Sequence, residues 1–325
     1  MSSIGRRPRQ TARRKSPRSE ETKLIDGLNP GSGITGCGDP TLWHDGSQWH
    51  MVFAGLHVAS SDVLLFEATL PAGTELGATN WTVNTTPIAT SSAGQFDESG
   101  METPSYVKVG NREFIYYVGI NGSRVLGTDS FRISRLEKIN GTWTRHGSPL
   151  LTGIESWELY TGVSFVSECT IVHDGSTYHL FYTAGSNFYI GYANSTDGTT
   201  FSNKKIFYSL PLVVWSPTIY RVNNHYEMIL SPLANAQGTG SVSETNGLYR
   251  MKCATPSSNY SDWSPLQQIH KSQDGTWWHS AWIYGTAAAS KVTSNNLVVL
   301  FTGRDPINTS TNPHIGQFPL APLPD

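Results

Sequence analysis

The sequence predicts an all-β chain, a five-bladed β-propeller with four-stranded antiparallel blades around a central funnel, in which residues 24–325 form one domain. Three observations predict it. One pattern recurs five times: an apolar strand, a Gly, Asn or Asp turn, and a second strand dense in aromatic and β-branched residues. Matched at Pro40, Pro104, Thr170, Pro217 and Ala281, the copies lie 64, 66, 47 and 64 residues apart. A second landmark, a polar turn leading into an aromatic, recurs in step at Trp81, Trp143, Phe201 and Trp263, with separations of 62, 58 and 62. Finally, no long stretch carries the helical period, and the segments between strands are rich in Gly, Ser, Thr and Asn. Four strands in each ~60-residue unit, with no helix between them, read as propeller blades rather than a sandwich.

The copies follow in order. GDPTLWHDGSQWHMVFAG begins at Gly38 and ETPSYVKVGNREFIYYVG at Glu102. SECTIVHDGSTYHLFYTAG begins at Ser167, with an Asp-Gly turn at Asp174-Gly175 between its strands. WSPTIYRVNNHYEMILSP begins at Trp215, and a degenerate copy starts HSAWIYG at His279 and resumes as NNLVVLFTG at Asn295. This last copy is short of strands, so a segment from residues 22–36 or HIGQFPL (His314–Leu320) is expected to complete it, which removes an exposed edge.

Charge divides the chain. Residues 1–23 carry eight basic side chains against Glu20 and Glu21, and their scarcity of apolar residues predicts a disordered basic tail. The remainder holds 15 basic and 23 acidic residues, a net of −8. An acidic body argues against a nucleic-acid partner. No apolar run approaches the ~20 residues of a membrane-spanning helix, so no membrane partner is expected. Residues 1–23 contain no apolar stretch of the secretory-signal kind, and the compartment stays open, extracellular action included. Cys37, Cys169 and Cys253 are too few and too scattered for a disulfide framework or a zinc site, and no metal ligands are assigned.

In a propeller the first strand of each blade lines the central channel, so the starts of the five copies gather around one axis. Those starts are Gly38-Asp39, Glu102-Thr103, Glu168-Cys169, Trp215-Ser216 and His279-Ser280. Three carboxylates at equivalent places repel one another and raise one another's pKa, a cost that acid–base chemistry uses and a structural role does not. No Ser-His-Asp, phosphate-loop, dinucleotide or zinc signature occurs, leaving paired carboxylates as the only catalytic chemistry the sequence supports.

The motifs resemble the five-bladed propeller glycosidases, the arabinanase/xylosidase group (glycoside hydrolase family 43) and the invertase/levansucrase group (family 32). GDPTLWHDGSQWHMVFAG is similar to their first-blade DP motif, and SECTIVHDGSTYHLFYTAG to their EC motif. The resemblance implies a glycoside hydrolase acting on arabinose-, xylose- or fructose-containing oligo- or polysaccharides. Asp39 then matches the base or nucleophile and Glu168 the general acid. A middle-blade acid that orients the substrate corresponds to Glu102, or to Asp97 and Glu98, and Glu102 and Glu168 can exchange roles. His279 matches an axial histidine that holds an ion or water, so a structural ion such as calcium near the axis fits the resemblance. No other cofactor is implied, and a monomer is expected. Trp215 and Trp278 (or Trp277) offer faces on which sugar rings stack, and Arg304 reaches a substrate hydroxyl or an axial acid. The alternative is a catalytically inactive carbohydrate-binding propeller.

Overall fold

The computed structural model describes residues 22–27, 31–123, 125, 127–208, 214–232, 247–271, 282–294, 296–304 and 313–323. Among them strand follows strand, interrupted only by two 3₁₀ turns at Ser156–Glu158 and Tyr260–Asp262.

Antiparallel groups of four repeat along the chain. The first is Ile34–His44, Trp49–His57, Val63–Thr69 and Thr82–Val83; the second is Gly100–Val109, Arg112–Asn121, Ser130–Ile139 and Thr142–Arg145. A parallel pairing of Val63 with Gly100 joins these two, with Leu151–Thr152, into one nine-stranded sheet. The third is Val166–His173, Tyr178–Ala184, Tyr189–Ser195 and Ser202–Tyr208, and the fourth is Val214–Val222, His225–Pro232, Gly247–Cys253 and Gln267–Lys271. The fifth pairs Trp282–Ser290, Leu297–Arg304 and His314–Leu320 with Thr22–Ile25, so both segments expected to complete the last copy do so. The strand begins at Thr22, inside the expected 1–23 tail, because Thr22 and Lys23 pair with Gln317 and Gly316.

The recurring hairpins have a local cause. In the first group Asp45 Oδ1 accepts from the Ser47 and Gln48 amides at 2.7 and 2.9 Å, while Oδ2 meets His50 Nε2 at 2.9 Å. In the third, Asp174 repeats this with the Ser176 and Thr177 amides, both at 2.9 Å, and His179 Nε2 at 3.0 Å. An aspartate that bonds its own downstream amides folds the turn before any tertiary contact forms. Each Asp-Gly-Ser turn thereby sets the register of its strand pair.

Between groups the packing is apolar. Trp43, Val52, Ile115 and Tyr117 share one core cluster and Val118, Ile133, Ile171 and Leu180 a second. Others join Phe181 and Ile190 to Ile219 and Met228, Val222 and Ile229 to Val299 and Phe301, and Leu300 and Ile315 to Phe53 and Phe66. Trp43 belongs to this packing: buried, it stacks on Tyr106 at 4.2 Å and on His50 at 5.0 Å. Cys37, Cys169 and Cys253 are buried free thiols.

Hydroxyls tie the first strand of each group to its neighbour. Thr41 Oγ1 accepts from the Tyr106 amide at 2.9 Å, Ser105 Oγ from the Ile171 amide at 3.0 Å, and Thr170 Oγ1 from the Ile219 amide at 3.1 Å. Thr218 Oγ1 donates to the Thr286 carbonyl at 2.7 Å. Thr302, in the fifth group, accepts from the Asp39 amide of the first at 2.8 Å.

Candidate active site

Each of the five first strands carries a β-bulge near its start, where the pairing skips Asp39-Pro40, Thr103-Pro104, Glu168-Cys169, Ser216 and Gly285. Pro40 and Pro104 lie in the skipped pairs, where a residue without an amide donor breaks no ladder bond. At every bulge one residue turns into the left-handed region: Asp39 at φ 50°, Thr103 at 46°, Glu168 at 48°, Ser216 at 56° and Gly285 at 51°. A positive φ is sparsely populated by residues other than glycine and costs free energy, so its repetition marks positions that the surrounding fold over-determines. All five residues line one cavity.

This register corrects the sequence alignment in two copies. Cys169, not Thr170, takes the place of the proline in the third, and Gly285-Thr286 takes it in the fifth, where the expectation was His279 to Ala281. The sequence hid both because neither copy has the proline that marks the other three. The residue just before that proline is the signal that finds Asp39, Thr103 and Ser216.

The bulges bring Asp39 and Glu168 onto the same cavity wall from the first and third groups. Glu168 is 5% exposed, whereas Asp39 is half-buried. In the second group the equivalent position is held by Thr103, not by a carboxylate; Glu102 precedes it, half-buried, and is not among the cavity-lining residues. Cys169 lines the cavity beside Glu168, its Sγ donating to the Thr103 carbonyl at 3.5 Å. Burial, reinforced by the Glu168 and Glu102 charges, holds that thiol above the usual range, so it stays protonated and is no nucleophile.

Asp97, expected to contact substrate, does something else. It is fully buried, ion-paired to Arg145 through two nitrogens, and accepts from Tyr117 Oη at 2.8 Å. Glu98 accepts from the Gly94 amide at 2.8 Å in an exposed turn. Trp157 stacks on Tyr182 with centroids 6.2 Å apart. Trp215 and Arg304 lie at the ends of the strands Val214–Val222 and Leu297–Arg304. His279, Trp277 and Trp278 lie outside the described residues. Among the described residues no group of three or more His, Cys, Asp and Glu side chains forms a metal-binding cluster, and no helix is long and apolar enough to cross a membrane.

No family model and no curated protein sequence matches the chain. Solved structures do match in fold. The catalytic domain of a Coprinopsis cinerea family 62 α-L-arabinofuranosidase superposes with a TM-score of 0.64 at 12% identity, over 93% of this chain and 96% of the other. A Lactobacillus brevis α-L-arabinofuranosidase gives 0.62 at 12% identity over 89% and 95%. A Bacillus halodurans xylan β-1,4-xylosidase gives 0.57 at 10% identity over 88% of this chain and 53% of its own length. In fold, the chain is therefore similar to the glycoside hydrolases of families 43 and 62.

Proposed function

We propose that the chain is a glycoside hydrolase that cleaves arabinose-, xylose- or fructose-containing glycans with Asp39 and Glu168, its five strand groups closed as a five-bladed propeller. One observation carries this reading: two carboxylates occupy equivalent left-handed bulge positions on two strands that line a single cavity. The hydroxyl links that run from each group to the next, and from the fifth back to the first, support the closed ring. The fold likeness to arabinofuranosidases and a xylosidase supports the substrate class.

The chemistry divides between the two carboxyls. Glu168 is the more buried, and burial favours the neutral, protonated form that a general acid needs. It donates its proton to the glycosidic oxygen as the bond from that oxygen to the anomeric carbon breaks. Asp39, more exposed to water, takes the proton of an attacking water or itself attacks the anomeric carbon. A gap of roughly 5 Å between the carboxyls gives retention, and one of about 6.5–9.5 Å gives inversion.

The Thr103 hydroxyl at the second bulge favours one competing reading, a propeller that binds glycans without cleaving them. Hydrolysis of a panel of nitrophenyl glycosides and polysaccharides, with Asp39→Asn and Glu168→Gln as controls, decides between them. Turnover by the wild type, lost in both variants, is expected. Glycan binding without turnover would establish the competing reading.

A further inference from the structure

The left-handed turn at Asp39 is held from the fifth group. Thr302, fully buried on the strand Leu297–Arg304, accepts the Asp39 amide at 2.8 Å and donates to the Gly285 carbonyl at 3.2 Å. Its methyl packs where a Cβ on Gly38 would come within 3.0 Å. Gly285 completes the fit, since a Cβ there would collide with Asp39 Oδ1 and lie 2.9 Å from Thr302 Oγ1. Glycine at 285 thus leaves the room that the carboxylate occupies.

The same threonine-to-amide contact recurs at one other bulge. The position equivalent to Thr302, cross-strand from the residue before the bulge, is Thr183 in the third group, and its Oγ1 accepts the Ser216 amide at 3.3 Å. In the second group, which packs toward Glu168, the equivalent position is Val118, an apolar side chain.

We propose that Thr302 and Gly285 are positioning residues that fix the Asp39 carboxylate in its reactive orientation. The inference rests on Asp39 acting in the glycosidase reading above. A non-glycine residue strained at φ 50° relaxes toward negative φ when the contacts that over-determine it are removed. Misplacing a reacting group by ~1 Å costs about 10²-fold in rate.

The test compares Thr302→Val, Thr302→Ser, Gly285→Ala and Asp39→Asn on the glycoside the wild type turns over. Thr302→Val removes the hydroxyl at constant shape and is expected to lower kcat about 10- to 100-fold with KM nearly unchanged. Thr302→Ser keeps the hydroxyl and is expected to restore most of kcat, which a merely structural role for the side chain would not require. Gly285→Ala is expected to lower kcat as Thr302→Val does. Wild-type kcat in both Thr302→Val and Gly285→Ala, with Asp39→Asn inactive, overturns the positioning inference alone. Full turnover in Asp39→Asn overturns the carboxylate reading and this inference with it. A crystal structure of Thr302→Val gives a readout independent of turnover. Asp39 is expected to leave the left-handed region, and an unchanged Asp39 would overturn the inference.

Discussion

Carboxylates occur in two settings in this molecule, and what surrounds them differs. Asp97 and Glu158 are both fully buried, and each is met by one tyrosine hydroxyl and one cation. For Asp97 these are Tyr117 and Arg145; for Glu158 they are Tyr182 Oη at 2.8 Å and Lys204 Nζ at 2.5 Å. The two triads are built alike. In each, the carboxylate lies ahead of a group's first strand, the tyrosine sits on the second strand, and the cation on the fourth. Asp39 and Glu168 instead sit on bulges that open into the cavity. A buried acid with a full set of donors holds a loop to its sheet, whereas one turned toward a cavity can exchange its proton with a substrate.

This contrast is broken first by the cavity pair. Asp39→Asn and Glu168→Gln are each expected to cut turnover by about 10²–10⁴-fold while the denaturation midpoint barely moves. A large loss of stability with unchanged turnover would assign them to the structural class. The reverse applies to the ion pair. Arg145→Met leaves Asp97 buried without its cation and is expected to destabilise by about 3–5 kcal/mol, read by denaturant titration, with kcat of the folded fraction retained.

A smaller effect sharpens the likeness of the two triads. Tyr117→Phe and Tyr182→Phe each remove a hydrogen bond to a charged acceptor and are expected to cost similar amounts, about 1.5–3 kcal/mol. Costs that differ several-fold would show that the triads are alike only in outline.

The smallest effect is a pH dependence at the first hairpin. Burial opposes charge on His50, but hydrogen bonds to Glu67 and Asp45 prevail and raise it above its ordinary value of 6.5. A raised histidine stabilises fully below the unfolded value and loses that contribution as pH rises through the folded one. His50→Gln is therefore expected to destabilise more at pH 6 than at pH 9 in urea titrations. A penalty independent of pH would contradict the charged pairing.

Much of the fold is legible in the residues because its signals are local. Alternation in Tyr178–Tyr182 and the Asp-Gly-Ser turns each specify a hairpin within a few residues, and the wider strand–turn–strand pattern recurs with the strand groups. Asp39 and Glu168 are legible for the same reason, lying at the starts of those patterns. What the sequence conceals is register and partnership. Cys169 and Gly285 occupy bulge positions that no proline marks, so the fifth copy is aligned too early and His279 is placed where Gly285 belongs. Asp97 reads like a site acid because Arg145 lies 48 residues away and nothing local announces the pair. Thr302 has no signal of its own; only the cross-strand register shows that it stands behind Asp39.

The division of roles is tested most directly by leaving-group dependence. The rates of Asp39→Asn and Glu168→Gln should be compared on a dinitrophenyl glycoside, whose leaving group needs no protonation, and on the matching natural glycan. The assignment predicts that Glu168→Gln recovers most of its rate on the activated substrate while Asp39→Asn stays inactive on both. Equal losses on the two substrates in Glu168→Gln, or recovery in Asp39→Asn alone, would contradict it.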